Sequence, residues 1–291
     1  MGVLWGLLIK MTTVKELENG FRYLEVKNQH ATAKIALQGA HLFHYQAKDK
    51  EPLLWLSKEA FFEKGKAIRG GVPICFPWFG KDNTDPSLPQ HGFARKQVWK
   101  LISTHELADG STHLQLMLTP NKETRALWDY SFVLIYDVTV GEELTLKLTT
   151  INTDTQAFEI TQALHSYFNV SNIENVSIEG LENSIYYDSL EQSLAKQHKA
   201  LSISEEVDRV YFDASSKIVL HDKKRQIELK QEGSKSLVVW NPWKEKSKAI
   251  TDMNNDGYKT MICLETANAL KDFRIVKSGE VFSLKLIIKE L

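Results

Sequence analysis

Two-residue alternation of apolar and polar side chains is what most restricts the fold of this chain. Residues 144–151 read LTLKLTTI, with Leu144, Leu146, Leu148 and Thr150 on one face. Residues 113–118 read HLQLML, with Leu114, Leu116 and Leu118 on one face. A period of two puts the apolar side chains of an extended strand on one side. Further β-rich runs occupy 21–26, 31–37, 132–140, 158–168, 217–220, 226–231, 236–240, 261–265 and 282–289. Helical patterning is thin. A short helix is expected near 57–63 and a turn or two near 189–195, and no amphipathic pattern persists for three turns. Closely spaced strands with turn residues between them predict an all-β chain, built as a large two-sheet sandwich. No Pro-, Ser- or Gly-rich linker divides the 291 residues. One domain over 11–291 is therefore expected, with 1–10 an N-terminal extension of unknown role.

Charge and cysteine content narrow the function. The formal net charge is −1, so no global basic field favours nucleic acid, and anion binding must be local. The two cysteines, Cys75 and Cys263, sit in apolar surroundings and read as buried free thiols. The opening MGVLWGLLIKM carries an apolar run from Val3 to Ile9 that is short for a signal-peptide core. It falls well below the ~20 residues that span a bilayer. A cytoplasmic monomer without nucleic-acid or membrane partners is expected.

One segment departs from the strand pattern. Residues 69–95 read RGGVPICFPWFGKDNTDPSLPQHGFAR. Gly70, Gly71, Pro73, Pro77, Pro86 and Pro89 forbid a long helix there. Ile74, Phe76, Trp78, Phe79 and Phe93 are more than a disordered segment carries. The segment reads as a packed binding loop whose ends, Arg69, Gln90, His91 and Arg95, can hold a polar ligand.

Elsewhere, candidate chemistry is sparse. His165, in ITQALHSYFNV, shares an extended-strand face with Tyr167; a lone histidine is more often structural than functional. Glu265 ends the apolar run of MICLETANAL, where partial desolvation would raise its pKa toward that of a general base; a solvated strand-end glutamate is the commoner case. Asp208, before Arg209, is either a solvated charge at a strand boundary or an acceptor for sugar hydroxyls. Trp240-Asn241-Pro242-Trp243 is a turn whose aromatics are core or a stacking wall, with nothing to choose between them. His41 and His44 lack further zinc ligands. The calcium-like DMNNDG at 252–257 has Cys263 where the loop needs glutamate, and reads as a polar turn. No HExxH, GxGxxG-helix, GxxxxGK[ST] or GxSxG occurs. What remains is an acid, a base and anion clamps, which suit proton transfer without a metal or cofactor.

In chain order, RGGVPICFPWFG, PQHGFAR, ALHSYFNV, DRVY, VVWNPW and LETAN resemble the aldose 1-epimerase (mutarotase) superfamily, in particular its glucose-6-phosphate 1-epimerase group. The resemblance runs from about Phe21 to Leu291. It implies a galactose-mutarotase-like β-supersandwich of large, mainly antiparallel sheets. It also implies that His165 is the general acid at the ring oxygen and Glu265 the general base at the anomeric hydroxyl. Arg69, Gln90, Arg95 and Asp208 match substrate-binding positions, and His91 lies in the same motif. The implied substrate is a hexose 6-phosphate. A free-aldose mutarotase and a non-catalytic carbohydrate-binding protein are the alternatives. A glycosidase is disfavoured because hydrolysis asks for two facing carboxylates.

Overall fold

Phe132–Val140 shows how the alternation is used. Every second side chain, from Phe132 through Leu134, Tyr136 and Val138 to Val140, is fully buried. Its antiparallel partner Leu144–Asn152 buries Leu144, Leu146 and Leu148 in register against Val140, Val138 and Tyr136. Each such side chain contributes roughly 1.5–3 kcal/mol on leaving water, and a one-residue slip would turn the whole set to solvent. The computed structural model describes residues 11–81, 85–223 and 225–291. The expected extension over 1–10 lies outside the described residues.

These two strands belong to a nine-stranded antiparallel sheet, here called the back sheet. Its order is Leu201–Ser202, Ser177–Glu179, Lys217–Asp222, Arg225–Glu232, Val281–Glu290, Leu144–Asn152, Phe132–Val140, Thr112–Leu118 and Lys100–Glu106. An eight-stranded antiparallel sheet, the site sheet, runs Ser193–Lys196, Ile185–Asp188, Val207–Phe212, Ser236–Asn241, Met261–Asn268, Gln162–Leu164 and Ile74–Cys75, and Tyr167–Asn169 also pairs with Met261–Asn268. Leu237, Val239, Ile262 and Leu264 of the site sheet join Leu284 and Leu286 of the back sheet in one buried cluster. A four-stranded sheet spanning Thr12–Glu16 to His41–Ala47 adds Leu24, Val26, Ile35 and Leu42 to it. The all-β architecture of large antiparallel sheets is thus the one observed. No helix among the described residues is long and apolar enough to cross a membrane.

Several expected elements differ. Residues 57–63 form turns rather than a helix. Residues 189–192 are a hairpin turn leading into the edge strand Ser193–Lys196, so no helical turn forms there. The run 158–168 is three strands, because Phe158–Ile160 pairs with Arg274–Val276 and Gln162–Leu164 joins the site sheet. Helix forms instead at Lys122–Leu127 and Trp243–Ala249. Asn121 caps the first: its side chain accepts from the amides of Glu123 and Thr124, and Thr124 Oγ1 accepts from the Asn121 amide.

Two glycines explain how the 69–95 loop reaches the sheet. A Cβ on Gly71 (φ +62°) would lie 2.3 Å from the Leu42 carbonyl oxygen, and one on Gly92 (φ +69°) 2.0 Å from that of Phe76. Both positions combine left-handed backbone with contact against another main chain, which only glycine accommodates. His41 Nε2 bonds the neighbouring Gly70 carbonyl at 2.7 Å, so the His41/His44 pair is structural.

Candidate active site

Cross-strand register assembles the site. Tyr187, Val210, Val238 and Glu265 form one row across the site sheet, and Asp208, Trp240, Cys263 and Tyr167 form the next. Side chains two apart on a strand share a face, so both rows point away from the inter-sheet core. Over this face lies a cavity of about 570 Å³. Arg69, Gln90, His91, Arg95, His165, Asp208 and Glu265 all line it. The seven positions singled out in the sequence therefore meet in one place, although they are spread over some two-thirds of the chain.

His165 and Glu265 are the innermost titratable pair. His165 Nε2 lies 3.3 Å from Glu265 Oε1. The two residues are 7% and 1% exposed, so Glu265 is not at a strand mouth, as the sequence suggested, but in the middle of Met261–Asn268. The apolar run did not reveal that TAN continues the strand. Burial, then the negative charge of Asp208, push the Glu265 carboxyl well above its ordinary pKa, with Arg95 opposing. Burial, then His91, Arg95 and Arg69, push the His165 imidazole well below its ordinary value. Both groups are driven toward their neutral forms. Among the described residues, Glu265 Oε2 and His165 Nδ1 have no hydrogen-bonding partner.

Aromatic groups fix the imidazole. Tyr167 stacks on it at 4.8 Å and 6°, and His91 and Trp240 meet it edge-on at 5.6 and 6.3 Å. Trp240 thus faces the cavity, whereas Trp243 packs on Tyr258. The Gly80 amide donates to His91 Nδ1 at 3.1 Å. A ring nitrogen that accepts from an amide carries no proton, so the His91 proton sits on Nε2. Burial and the two arginines lower the His91 pKa to about 3, which keeps this ring neutral at physiological pH.

The two arginines differ in commitment. Arg69 Nε pairs with Asp252 Oδ1 at 3.0 Å, and its Nη1 donates to the Tyr167 hydroxyl at 3.1 Å. Arg95 donates through Nη2 to the Gln90 carbonyl at 2.8 Å, its Nε is buried without a partner, and no carboxylate among the described residues pairs with it. The Asp208 carboxyl is raised by burial, with Lys246 opposing. Lys246 itself binds Glu206 at 2.7 Å. Sequence reasoning missed Asp252, read only as part of a polar turn, and Tyr167, read only as a neighbour. Position i+2 from His165 was a signal for Tyr167. Nothing local could pair Asp252 with Arg69, 183 positions away.

The aldose 1-epimerase family profile matches residues 22–289. The chain belongs to the aldose 1-epimerase family. It is accordingly an epimerase, of the isomerase class. An Escherichia coli K12 member named "Putative glucose-6-phosphate 1-epimerase" is 38% identical over 257 residues, covering 87% of this chain and 85% of that protein. The crystal structure of a "putative mutarotase" from Salmonella typhimurium superposes with a TM-score of 0.91 at 32% identity, covering 97% of this chain and 94% of that one. A galactose mutarotase-related enzyme from Lactobacillus acidophilus gives a TM-score of 0.74 at 15% identity, covering 92% and 97%. That last likeness is one of fold alone, and agrees with the galactose-mutarotase-like supersandwich expected from the sequence.

Proposed function

We propose that this epimerase interconverts the α and β anomers of a hexose 6-phosphate, with His165 and Glu265 as the acid and base. The observation that carries this is the 3.3 Å contact between their reactive atoms within the cavity that both line. Ring opening requires a proton to leave the anomeric hydroxyl while another reaches the ring oxygen. Ionised Glu265 takes the first and protonated His165 gives the second. Both residues are then neutral and the sugar is an open-chain aldehyde. Rotation about the bond to the aldehyde carbon and reversal of both transfers closes the ring as the other anomer. The pair holds one proton throughout, so the cycle needs none from solvent.

The electrostatics suit this sequence. Burial favours the neutral pair, which is the state that accompanies the open chain, and so works in favour of ring opening. The ionised pair that begins the cycle is supported by its own short contact. In this reading His165, which pairs with Glu265, is the acid, and His91, whose Nδ1 accepts from the Gly80 amide, binds substrate. Its Nε2–H is a fixed donor for a substrate oxygen.

Phosphate recognition falls to Arg95 in this reading. Asp252 neutralises Arg69 and occupies one edge of its fork, whereas among the described residues no group takes up the Nε and Nη1 donors of Arg95 and no carboxylate pairs with it. Arg69 and Asp208 are left for sugar hydroxyls. The test is polarimetric mutarotation of glucose 6-phosphate by the wild-type protein and by His165→Asn and Glu265→Gln. Wild-type rates in both folded variants would sink the assignment.

A further inference from the structure

Cys263 lies close to the His165–Glu265 pair, and the proposed proton transfer makes no use of it. It lies two residues before Glu265 on the same strand, so the two side chains share a face. His165, Cys263 and Glu265 each place one donor atom within 4.8 Å of the other two. We propose that this trio is an inhibitory site for a borderline-soft divalent cation, with zinc as the test case.

The geometry favours zinc. With Zn–N and Zn–O bonds near 2.0–2.1 Å, tetrahedral nitrogen and oxygen ligands lie about 3.3 Å apart. His165 Nε2 and Glu265 Oε1 are 3.3 Å apart. The sulfur is within reach after a shift on the order of 1 Å, given a Zn–S bond near 2.3 Å. Imidazole, thiolate and carboxylate are a zinc donor set, whereas magnesium takes oxygen ligands in octahedral geometry. Glu265 Oε2 is buried with no hydrogen-bond partner among the described residues, which lets the carboxylate turn toward a metal, while the stacked Tyr167 ring holds the imidazole with its Nε2 toward Glu265. His165 and Glu265 line the cavity and give a cation its entry; Cys263 is fully buried and does not line it.

Binding forms Zn–N, Zn–S and Zn–O bonds. The thiol proton and the one proton that the His165–Glu265 pair holds, whether on Nε2 or on the carboxyl, leave to solvent, and no oxidation state changes. Zn²⁺ with one thiolate and one carboxylate is net neutral, which avoids burying an isolated dication. A water completes the tetrahedron. The ring nitrogen and carboxylate oxygen that would carry protons are then metal ligands, so turnover stops.

The test uses tag-free full-length protein, wild type, Cys263→Ser and Cys263→Ala. Zinc at micromolar concentration should inhibit wild-type mutarotation, EDTA should restore it, and magnesium should have no effect. Either cysteine variant should need about 10-fold or more zinc for the same inhibition, at least what losing a metal's outer partner costs. The inhibition readout rests on the function proposed above. A cobalt titration does not: Co²⁺ should give a near-ultraviolet thiolate-to-cobalt charge-transfer band in wild type and none in either variant. Wild type without that band, or variants as zinc-sensitive as wild type, would overturn the proposal.

Discussion

Glu265→Gln separates the catalytic from the structural account of the buried carboxyl. Glutamine keeps the shape of glutamate and can place an amide atom near His165 Nε2, now 3.3 Å from Glu265 Oε1. It cannot accept and return a proton. A positioned general base contributes about 10²–10⁴-fold, which at about 1.36 kcal/mol per decade is roughly 3–5 kcal/mol of barrier. Stability should move the other way. Glu265 is 1% exposed and its folded pKa is raised. A carboxyl raised in this way leaves stability intact below its ordinary pKa and lowers it as pH rises above, because the unfolded chain ionises and the folded one resists. The amide has no such penalty. Glu265→Gln should therefore melt at or above the wild-type temperature at neutral pH while losing about 10²-fold or more in turnover of glucose 6-phosphate. Polarimetry measures the rate, and a thermal melt monitored by circular dichroism measures the stability. A variant that loses activity and stability together would mean that Glu265 holds the fold. A variant that keeps its rate would refute the base assignment outright.

Other predictions follow from neighbouring residues. Arg95→Gln removes two uncommitted donors, and charge-assisted hydrogen bonds are worth about 1.5–3 kcal/mol each; kcat/KM for glucose 6-phosphate should fall about 10²-fold or more, and that for free glucose by less than about 3-fold. Equal losses on both sugars would move phosphate recognition elsewhere. Asp252→Ala frees Arg69 from its 3.0 Å anchor, and one charged hydrogen bond lost predicts a fall of about 10-fold or more on phosphorylated and free sugar alike; unchanged kinetics would show the ion pair to be inert. Burial lowers the His41 pKa to about 4, so its contribution to stability is complete above about pH 6.5 and is lost as pH falls toward 4. Urea unfolding should show wild type losing about 2 kcal/mol more than His41→Gln between pH 7.5 and pH 5, and parallel losses would contradict this.

How much the sequence showed depended on how local each signal was. Period-two runs such as Phe132–Val140 were readable because one face enters the core and the other meets solvent. Edge strands such as Ser193–Lys196, exposed along their whole length, carry no such contrast, and their sequence reads as readily as a helical turn. The sheet switch within 158–168 was hidden because its partners, Arg274–Val276 and Met261–Asn268, lie over a hundred residues away. The cavity-lining residues were legible because each lies within its own local motif. Pairings between motifs were not. Arg69 with Asp252 exists only once the turn at 252 is folded against the loop at 69. The proximity of Cys263 to His165 depends on the register between Tyr167–Asn169 and Met261–Asn268. Depth was misjudged for the same reason. Glu265 looked like a strand end until Gln162–Leu164 and Ser236–Asn241 flanked it on both sides.

The central claim is that the His165–Glu265 pair opens the ring of a phosphorylated hexose. Its most direct test is the rate at which freshly dissolved α-glucose 6-phosphate approaches anomeric equilibrium, followed by polarimetry with and without the wild-type protein, beside α-glucose under the same conditions. The account predicts strong acceleration with the phosphate ester, a much weaker effect on free glucose, and no dependence on added magnesium. Spontaneous rates for the ester, or faster turnover of free glucose than of the ester, would contradict it.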